Sequence, residues 1–197
     1  MSNSFEIFIR DMMPEISTDE IKSLAEALPV VEYPRGKILV NQGGTARDCY
    51  FVLQGCLRMY HVDESGLEHT AELYTELQSL TIFESYKEGK PSPYSVECVE
   101  DCLLLEGNLQ NEEEMNKRFP FLQNILRSAL ETNLASGQMD MALFRSSSPE
   151  QRYLQILETR PGLAGRVPQH QLASYLGITP ESLSRLKKRL SDRKKLS

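Results

Sequence analysis

The chain has 197 residues, of which 40% are hydrophobic and 25% charged, and its net charge is −6. That is an ordinary globular composition, enough for one large domain or two small ones, and it excludes a collagenous, low-complexity or disordered chain. Apolar stretches such as Tyr50-Phe51-Val52-Leu53 and Leu103-Leu104-Leu105 fall far short of the ~18–20 residues of a membrane span. Residues 1–17 also lack the basic segment and apolar run of a secretory signal. The expectation is therefore a cytoplasmic protein with no membrane partner.

The charge is unevenly distributed. Residues 1–144 carry 11 Lys/Arg against 24 Asp/Glu, a balance of −13, whereas residues 145–197 carry 11 against 4, a balance of +7. A basic module on an acidic body suggests a polyanionic partner for the C-terminal part.

Taken in chain order, the first signal is Ser17-Thr18-Asp19-Glu20, a capping box ahead of Ile21, Leu24, Ala25 and Leu28 at helical spacing, with Pro29 as the stop. From Val30 to about Glu106 the pattern changes to short β-type runs broken by glycine turns. Strands are predicted at Lys37 to Asn41, Cys49 to Leu53, Cys56 to Val62, Leu67 to Tyr74, Tyr94 to Val99 and Cys102 to Glu106. Asp63-Glu64-Ser65-Gly66 joins the third and fourth as a hairpin. At least six strands so closely spaced predict a barrel or sandwich.

After Asn108 the pattern is helical. No proline interrupts Phe121 to Phe144, where Leu122, Ile125 and Ala129 form one stripe and Leu126, Leu130, Leu134, Met141 and Phe144 a second. Two apolar stripes on one long helix require two partners: the strand domain, and either the C-terminal region or a second copy of the helix. A second copy is favoured, so a homodimer is expected. Ser146-Ser147-Ser148-Pro149 then reads as a hinge, with Ser148 capping a helix that begins at Pro149.

The most specific pattern lies between Val167 and Leu190. Gln169 to Leu176 is a short helix with Leu172, Ala173 and Leu176 on one side. Gly177-Ile178-Thr179 is a tight turn, and Thr179 caps a second helix that starts at Pro180. This is a helix-turn-helix. On the second helix Leu183, Leu186 and Leu190 share one face, and Glu181, Arg185 and Lys188, with Ser184 beside them, share the other. Arg can bind guanine O6 and N7 with two hydrogen bonds, Glu can accept from the cytosine amino group, and Lys can hold phosphate. Lys187, Arg189, Arg193, Lys194 and Lys195 are expected to thicken the positive field. The candidate DNA-binding residues are Gln169, Thr179, Glu181, Ser182, Ser184, Arg185 and Lys188.

On these residues the chain resembles the Crp/Fnr family of bacterial transcription regulators. The resemblance rests on Tyr33-Pro34-Arg35-Gly36, Asn41-Gln42-Gly43, Cys49 through Gly55, and Leu176 through Arg185, and it covers roughly residues 15–190. It implies an α+β protein: a double-stranded, jelly-roll-like β-roll with flanking helices, a long dimerisation helix and a C-terminal helix-turn-helix domain. The boundaries expected are 1–118, 119–145 and 146–197. The resemblance further implies that Glu181 and Arg185 read bases, that Thr179, Ser182 and Lys188 hold phosphate, and that double-stranded DNA with an inverted repeat and RNA polymerase are partners.

Two departures stand out. Cyclic-AMP-binding members carry a Gly-Glu pair and an Arg-Ser or Arg-Thr pair, over which this sequence places Thr81-Ile82 and Ser92-Pro93. No arginine lies between Arg58 and Arg118, and Lys87 or Lys90 offers a point charge without a bidentate fork. The candidate effector cassette is Thr81, Ile82, Glu84, Ser92 and Tyr94, and the departure implies either a small-molecule effector of unknown identity other than cyclic AMP or no small ligand at all. The second departure is that only seven residues follow Leu190, too few for the hairpin wing common in the family.

Cys49, Cys56, Cys98 and Cys102 are spaced by seven, 42 and four residues, which fits neither a zinc nor an iron–sulfur pattern, so buried thiols and no metal are expected. His61, His69 and His170 are scattered, and Glu112-Glu113-Glu114 reads as a solvated helix start. No nucleophile elbow, P-loop or GxGxxG is present, so no enzymatic activity is expected. The expected function is sequence-specific transcription regulation. The alternative is a small-molecule sensor that acts through protein partners and has only non-specific DNA affinity.

Overall fold

A computed structural model describes residues 3–108 and 111–196. The side chains of residues 3, 4, 112, 126, 129, 130, 132, 133, 136, 140, 143 and 194–196 fall outside the description, and with them the expected apolar positions Leu126, Ala129 and Leu130 and the basic Lys194 and Lys195. The elements are α1 (Asn3–Met12), α2 (Thr18–Ala27), β1 (Val30–Tyr33), β2 (Ile38–Val40), β3 (Asp48–Gln54), β4 (Leu57–Val62), β5 (Glu68–Tyr74), β6 (Ser79–Leu80), α3 (Phe83–Glu88), β7 (Ser95–Cys98), β8 (Cys102–Asn108), α4 (Glu112–Arg118), α5 (Leu122–Ser146), α6 (Pro149–Thr159), α7 (Leu163–Arg166), α8 (Gln169–Tyr175) and α9 (Pro180–Leu196).

The strands form two antiparallel four-stranded sheets, ordered β1-β8-β3-β6 and β2-β7-β4-β5. This is the α+β architecture with a β-roll expected from the sequence. Between the sheets lie Tyr50, Val52, Leu57, Leu80, Val96 and Leu104. The outer face of the first sheet is also covered, because Phe51, Leu53 and Leu105 pack beneath Phe5, Ile9, Leu24 and Ile125. Burial on both faces explains why β3 reads as an unbroken apolar run instead of an alternating one.

Local chemistry sets the joints. Ser17 and Ser148 both form the reciprocal capping box, with Glu20 and Gln151 as partners. Gly55, at φ +107, lets the β3–β4 turn pass the start of β8: a Cβ there would lie 2.6 Å from Cys102 Sγ and 2.8 Å from the Asp101 carbonyl oxygen. Cys56, Cys98 and Cys102 are buried, Cys49 is half-buried, and none of the four is in a disulfide.

Five elements escaped the sequence reading: α1, the four-residue β1, α3, α7 and the two-residue β6. Phe5 and Ile9 of α1 stand one helical turn apart and are both buried, with Phe5 and Phe8 against the Phe51 ring. Ten residues with one apolar stripe carry little local signal, and packing supplies the rest. No described helix is long and apolar enough to cross a membrane.

Candidate nucleic-acid interface

The C-terminal core explains the helix-turn-helix from its residues upward. Leu172, Ala173, Leu176 and Leu183 are at most 1% exposed and pack with Leu163, Val167, Tyr153, Ile156 and Leu186. Each buried leucine contributes roughly 1.5–3 kcal/mol of transfer free energy. The end of α8 is a Schellman cap: Gly177 N–H donates to Ser174 O and Ile178 N–H to Ala173 O, both at 3.0 Å, with Gly177 at φ +70. The Thr179 hydroxyl then accepts from Ser182 N–H at 3.3 Å and caps α9, whose first residue is Pro180.

With Leu183 and Leu186 buried, α9 turns Glu181, Ser184, Arg185 and Lys188 to solvent; Thr179 and Gln169 are exposed as well, and Ser182 is half-exposed. Arg185 donates to the Ser182 hydroxyl at 3.1 Å, which aims the guanidinium along the helix toward its N-terminus. The Glu181 carboxyl is held below its ordinary value by the backbone N–H of its own residue, the Thr179 hydroxyl and the Arg185 charge. It is therefore an ionised acceptor at neutral pH. The surface can accept from a base amino group, donate a fork to a base edge and neutralise phosphate.

The flanking cations differ from expectation. Lys187 lies 5.8 Å from the Tyr153 ring centroid, and burial lowers its pKa. Arg189 and Arg193 both pair with Glu150 at the start of α6. Spacing along the sequence could not reveal an acid that approaches from 39 and 43 residues away. These arginines brace α9 against α6 as well as adding positive charge.

The helix-turn-helix is seated on the β-roll. Cys56, Leu73 and Val99 of the roll belong to the same apolar core as α8. Along edge strand β5, Thr70 N–H donates to Ser174 Oγ (2.9 Å), Ser174 Oγ donates to Glu68 O (3.2 Å), and Arg160 donates to Leu73 O (2.9 Å). Backbone groups that an edge strand leaves open are thus satisfied by the C-terminal domain. Beneath α8, Arg58 is 1% exposed; it pairs with Glu68 and Glu97 and stacks on Tyr60, while Gln171 donates to Glu97. At the end of the roll Arg166 of α7 donates to Glu76, Glu100 and the Gly55 carbonyl.

A cleft of about 960 Å³ runs from the side of the roll covered by α1, α2 and α5, where Phe8, Leu24 and Ile125 line it, to this seat, where Met59, Glu72, Tyr74 and Arg160 do. Of the expected effector cassette, Thr81 and Tyr94 reach its wall; Ile82, Glu84 and Ser92 do not. Ser92 is buried, its hydroxyl donating to Tyr94 O (2.6 Å) and accepting from Tyr94 N–H (3.1 Å). Ile82 is buried and Glu84 exposed. Sequence reasoning missed Arg160, which arrives from the C-terminal domain, and Glu72, which accepts from Arg160 and from the Tyr175 hydroxyl. No local motif connects residues 88 and 103 positions apart. Among the described residues no group of three or more His, Cys, Asp or Glu is placed to hold a metal ion.

The chain thus joins a β-roll with a cleft, through a long helix, to a helix-turn-helix. Residues 30–117 match the family model of the cyclic nucleotide-binding domain. The fumarate and nitrate reduction regulatory protein of Vibrio cholerae is 25% identical over 185 residues, covering 87% of this chain and 72% of that protein. The fold is similar to FixK2 of Bradyrhizobium japonicum (TM-score 0.69, 17% identity, 84% of this chain and 85% of that one). It is similar too to the c-di-GMP-responsive global regulator CLP of Xanthomonas campestris (TM-score 0.70, 17% identity, 90% and 93%). The catabolite activator protein of Thermus thermophilus gives a TM-score of 0.56 at 22% identity, covering 92% and 87%. Residues 30–117 thus match the cyclic nucleotide-binding domain, and the chain as a whole shares the fold of these proteins.

Proposed function

We propose that the protein is a cytoplasmic, dimeric, sequence-specific DNA-binding transcription regulator that is not an enzyme. The observation that carries this reading is the capped helix α9, which buries Leu183 and Leu186 while Glu181, Ser184, Arg185 and Lys188 face solvent. In this reading residues 1–118 form the sensor domain, 119–145 the dimerisation helix and 146–197 the DNA-binding domain. Arg185 and Glu181 read base edges; Gln169, Thr179, Ser182, Ser184 and Lys188 contact the backbone. Pairing of two copies along α5 is supported by Leu134, Met139 and Met141, whose exposure of 65%, 62% and 58% is unusual for large apolar side chains on one helix. RNA polymerase is the downstream partner.

The effector is a small molecule other than cyclic AMP, bound in the cleft that Thr81 and Tyr94 help to line. The Ser92 hydroxyl is already committed to Tyr94. The cassette offers a cyclic phosphate no guanidinium fork, and Arg160 on the cleft wall is already engaged by Glu72 and the Leu73 carbonyl.

Selection of bound sites from random DNA, with and without cyclic AMP, tests the reading. The expected product is an inverted repeat with half-sites about one helical turn, roughly 34–36 Å, apart, unchanged by cyclic AMP. Arg185→Ala should cost ~1–3 kcal/mol per half-site and relax preference at one base pair, while Lys188→Ala weakens all sequences alike and lowers the salt slope by about one per half-site. Equal, sequence-independent losses in both variants would instead identify a polyanion-binding patch on a sensor that acts through protein partners.

A further inference from the structure

Arg152, in the first turn of α6, touches neither the cleft nor the exposed face of α9, yet it touches the end of α5, the linker after it and the end of α8. Its Nη1 donates to Phe144 O at 3.0 Å and to Ser147 O at 2.7 Å. Its Nε and Nη2 donate to Leu176 O at 3.2 and 2.8 Å. The guanidinium carbon sits 4.2 Å from the centroid of the Phe144 ring. Each of these hydrogen bonds ends on a backbone carbonyl, and none on a carboxylate. Burial lowers the Arg152 pKa, and among the described residues no carboxylate pairs with it.

The carbonyls are of a particular kind. Phe144 lies in the last turn of α5, and Leu176 is the C-cap of α8. Carbonyls at helix C-termini lack intrahelical donors and carry the negative end of the helix dipole, so a cation that donates to them is favoured. A planar fork can serve two helix ends and the linker at once; an ammonium on a flexible stem cannot hold that geometry. The Phe144 ring closes the joint from the other side, because a Cβ on Gly177 would lie 3.0 Å from Phe144 Cζ and 3.7 Å from Arg152 Nη2. The end of α5, the Ser146–Ser148 linker and the turn before α9 therefore meet at one guanidinium.

We propose that Arg152 is a positioning residue that fixes the orientation of α9 relative to α5, and through it the half-site spacing the protein accepts in DNA. This rests on the reading of α9 as a recognition helix and α5 as the dimer axis. The lever is sensitive. Along α9, which starts at Pro180 beside this joint, Arg185 and Lys188 lie about 8 and 12 Å out at ~1.5 Å per residue, so a tilt of about 16° moves Lys188 by about 3.4 Å, close to the ~3.4 Å rise of one base pair. A joint that yields by such an angle would blur the preferred spacing without altering a base-reading side chain.

The test is binding-site selection from a library in which two inverted half-sites are separated by spacers of every length, run on wild type, Arg152→Gln, Arg152→Lys and Phe144→Leu. Wild type should select one spacing. Arg152→Gln should spread selection over neighbouring spacings and lose about tenfold affinity for the wild-type spacing, with affinity for one isolated half-site within twofold of wild type. Arg152→Lys should not restore the sharp preference, and Phe144→Leu, which keeps the hydrogen bonds, should broaden it less. Cleavage by trypsin after Arg145 should quicken in Arg152→Gln, independently of DNA. A sharp, unshifted spacing in both Arg152→Gln and Arg152→Lys overturns the proposal alone. A parallel loss on the isolated half-site overturns it in favour of a plain folding role. A wild type that selects no inverted repeat overturns the DNA-binding reading, and this proposal with it.

Discussion

Arg166→Ala is the sharpest test of the seat between the two domains. Arg166 reaches from α7 to three turns of the β-roll: Glu76 at 2.7 and 2.9 Å, Glu100 at 2.5 and 2.9 Å, and Gly55 O at 2.8 Å. Breaking a fully buried pair costs ~3–5 kcal/mol, whereas an exposed pair contributes only ~0.2–1 kcal/mol. Here the three side chains are 31%, 36% and 30% exposed, between those limits. Solvent screening discounts the buried figure, and about 2 kcal/mol is expected for the whole clamp. At this chain length such a loss corresponds to about 4–8 °C in Tm if unfolding stays two-state. The effect should also depend on pH. Burial alone would raise the Glu76 carboxyl, but hydrogen bonds from Arg166, its own backbone and Gly55 N–H, with the Arg166 charge, bring it below its ordinary 4.5. A carboxylate whose folded pKa is lowered stabilises fully above its unfolded value and loses that contribution as pH falls through the folded one. The difference between wild type and variant should therefore be complete at pH 7 and shrink below about pH 4.5. Urea unfolding across that range is the assay. A loss under ~0.5 kcal/mol at pH 7, or one independent of pH, would refute the clamp as a stabilising contact.

Two further outcomes follow from the same geometry. Gly177→Ala should cost about 1–2 kcal/mol for left-handed backbone alone, and more because the new Cβ would lie 3.0 Å from Phe144 Cζ; thermal unfolding with far-UV circular dichroism reads the loss, and a neutral variant would contradict the cap. The double substitution Leu134→Glu, Met141→Glu, at side chains 65% and 58% exposed, should leave the chain folded but monomeric by light scattering, and a folded variant that stays dimeric would remove α5 as the dimer axis.

Much of the fold is legible in the sequence because its signals are local. Capping boxes at Ser17 and Ser148, the glycine at the αL position of the helix-turn-helix and the leucines at helical spacing on α9 each specify structure within a few residues. The face of α9 follows from the same periodicity, so Glu181, Ser184, Arg185 and Lys188 could be placed on its solvent side in advance. What stayed hidden depends on approach across the chain. Nothing local marks Arg58 as one of the most buried side chains, which it is beneath α8, beside the Gln171–Glu97 contact. Arg189 and Arg193 read as free basic charge until α6 brings Glu150 to them. The effector cassette was read by register with relatives, and register cannot show that Ser92 turns its hydroxyl back onto Tyr94.

The position of β5 ties these observations together. This edge strand supplies Ala71, Glu72 and Tyr74 to the wall of the cleft, and Thr70, Glu72 and Leu73 to the seat of the helix-turn-helix. Glu72 serves both: one carboxylate oxygen accepts from Leu73 N–H (2.9 Å), the Tyr175 hydroxyl (3.0 Å) and Arg160 (3.4 Å). A group that draws Arg160 toward the cleft must take it from Glu72, and a group that moves Glu72 must also disturb Tyr175 on α8. Such a link does not require a large movement, because packed interfaces answer small displacements by exchanging one set of contacts for another. The seat combines a modest apolar core with directional, charge-assisted contacts from Arg160, Arg166 and Gln171. Apolar area alone would hold the domain in any orientation that buries it, whereas forked hydrogen bonds to particular carboxylates and carbonyls single out one. Orientation is the property on which a reader of spaced half-sites depends.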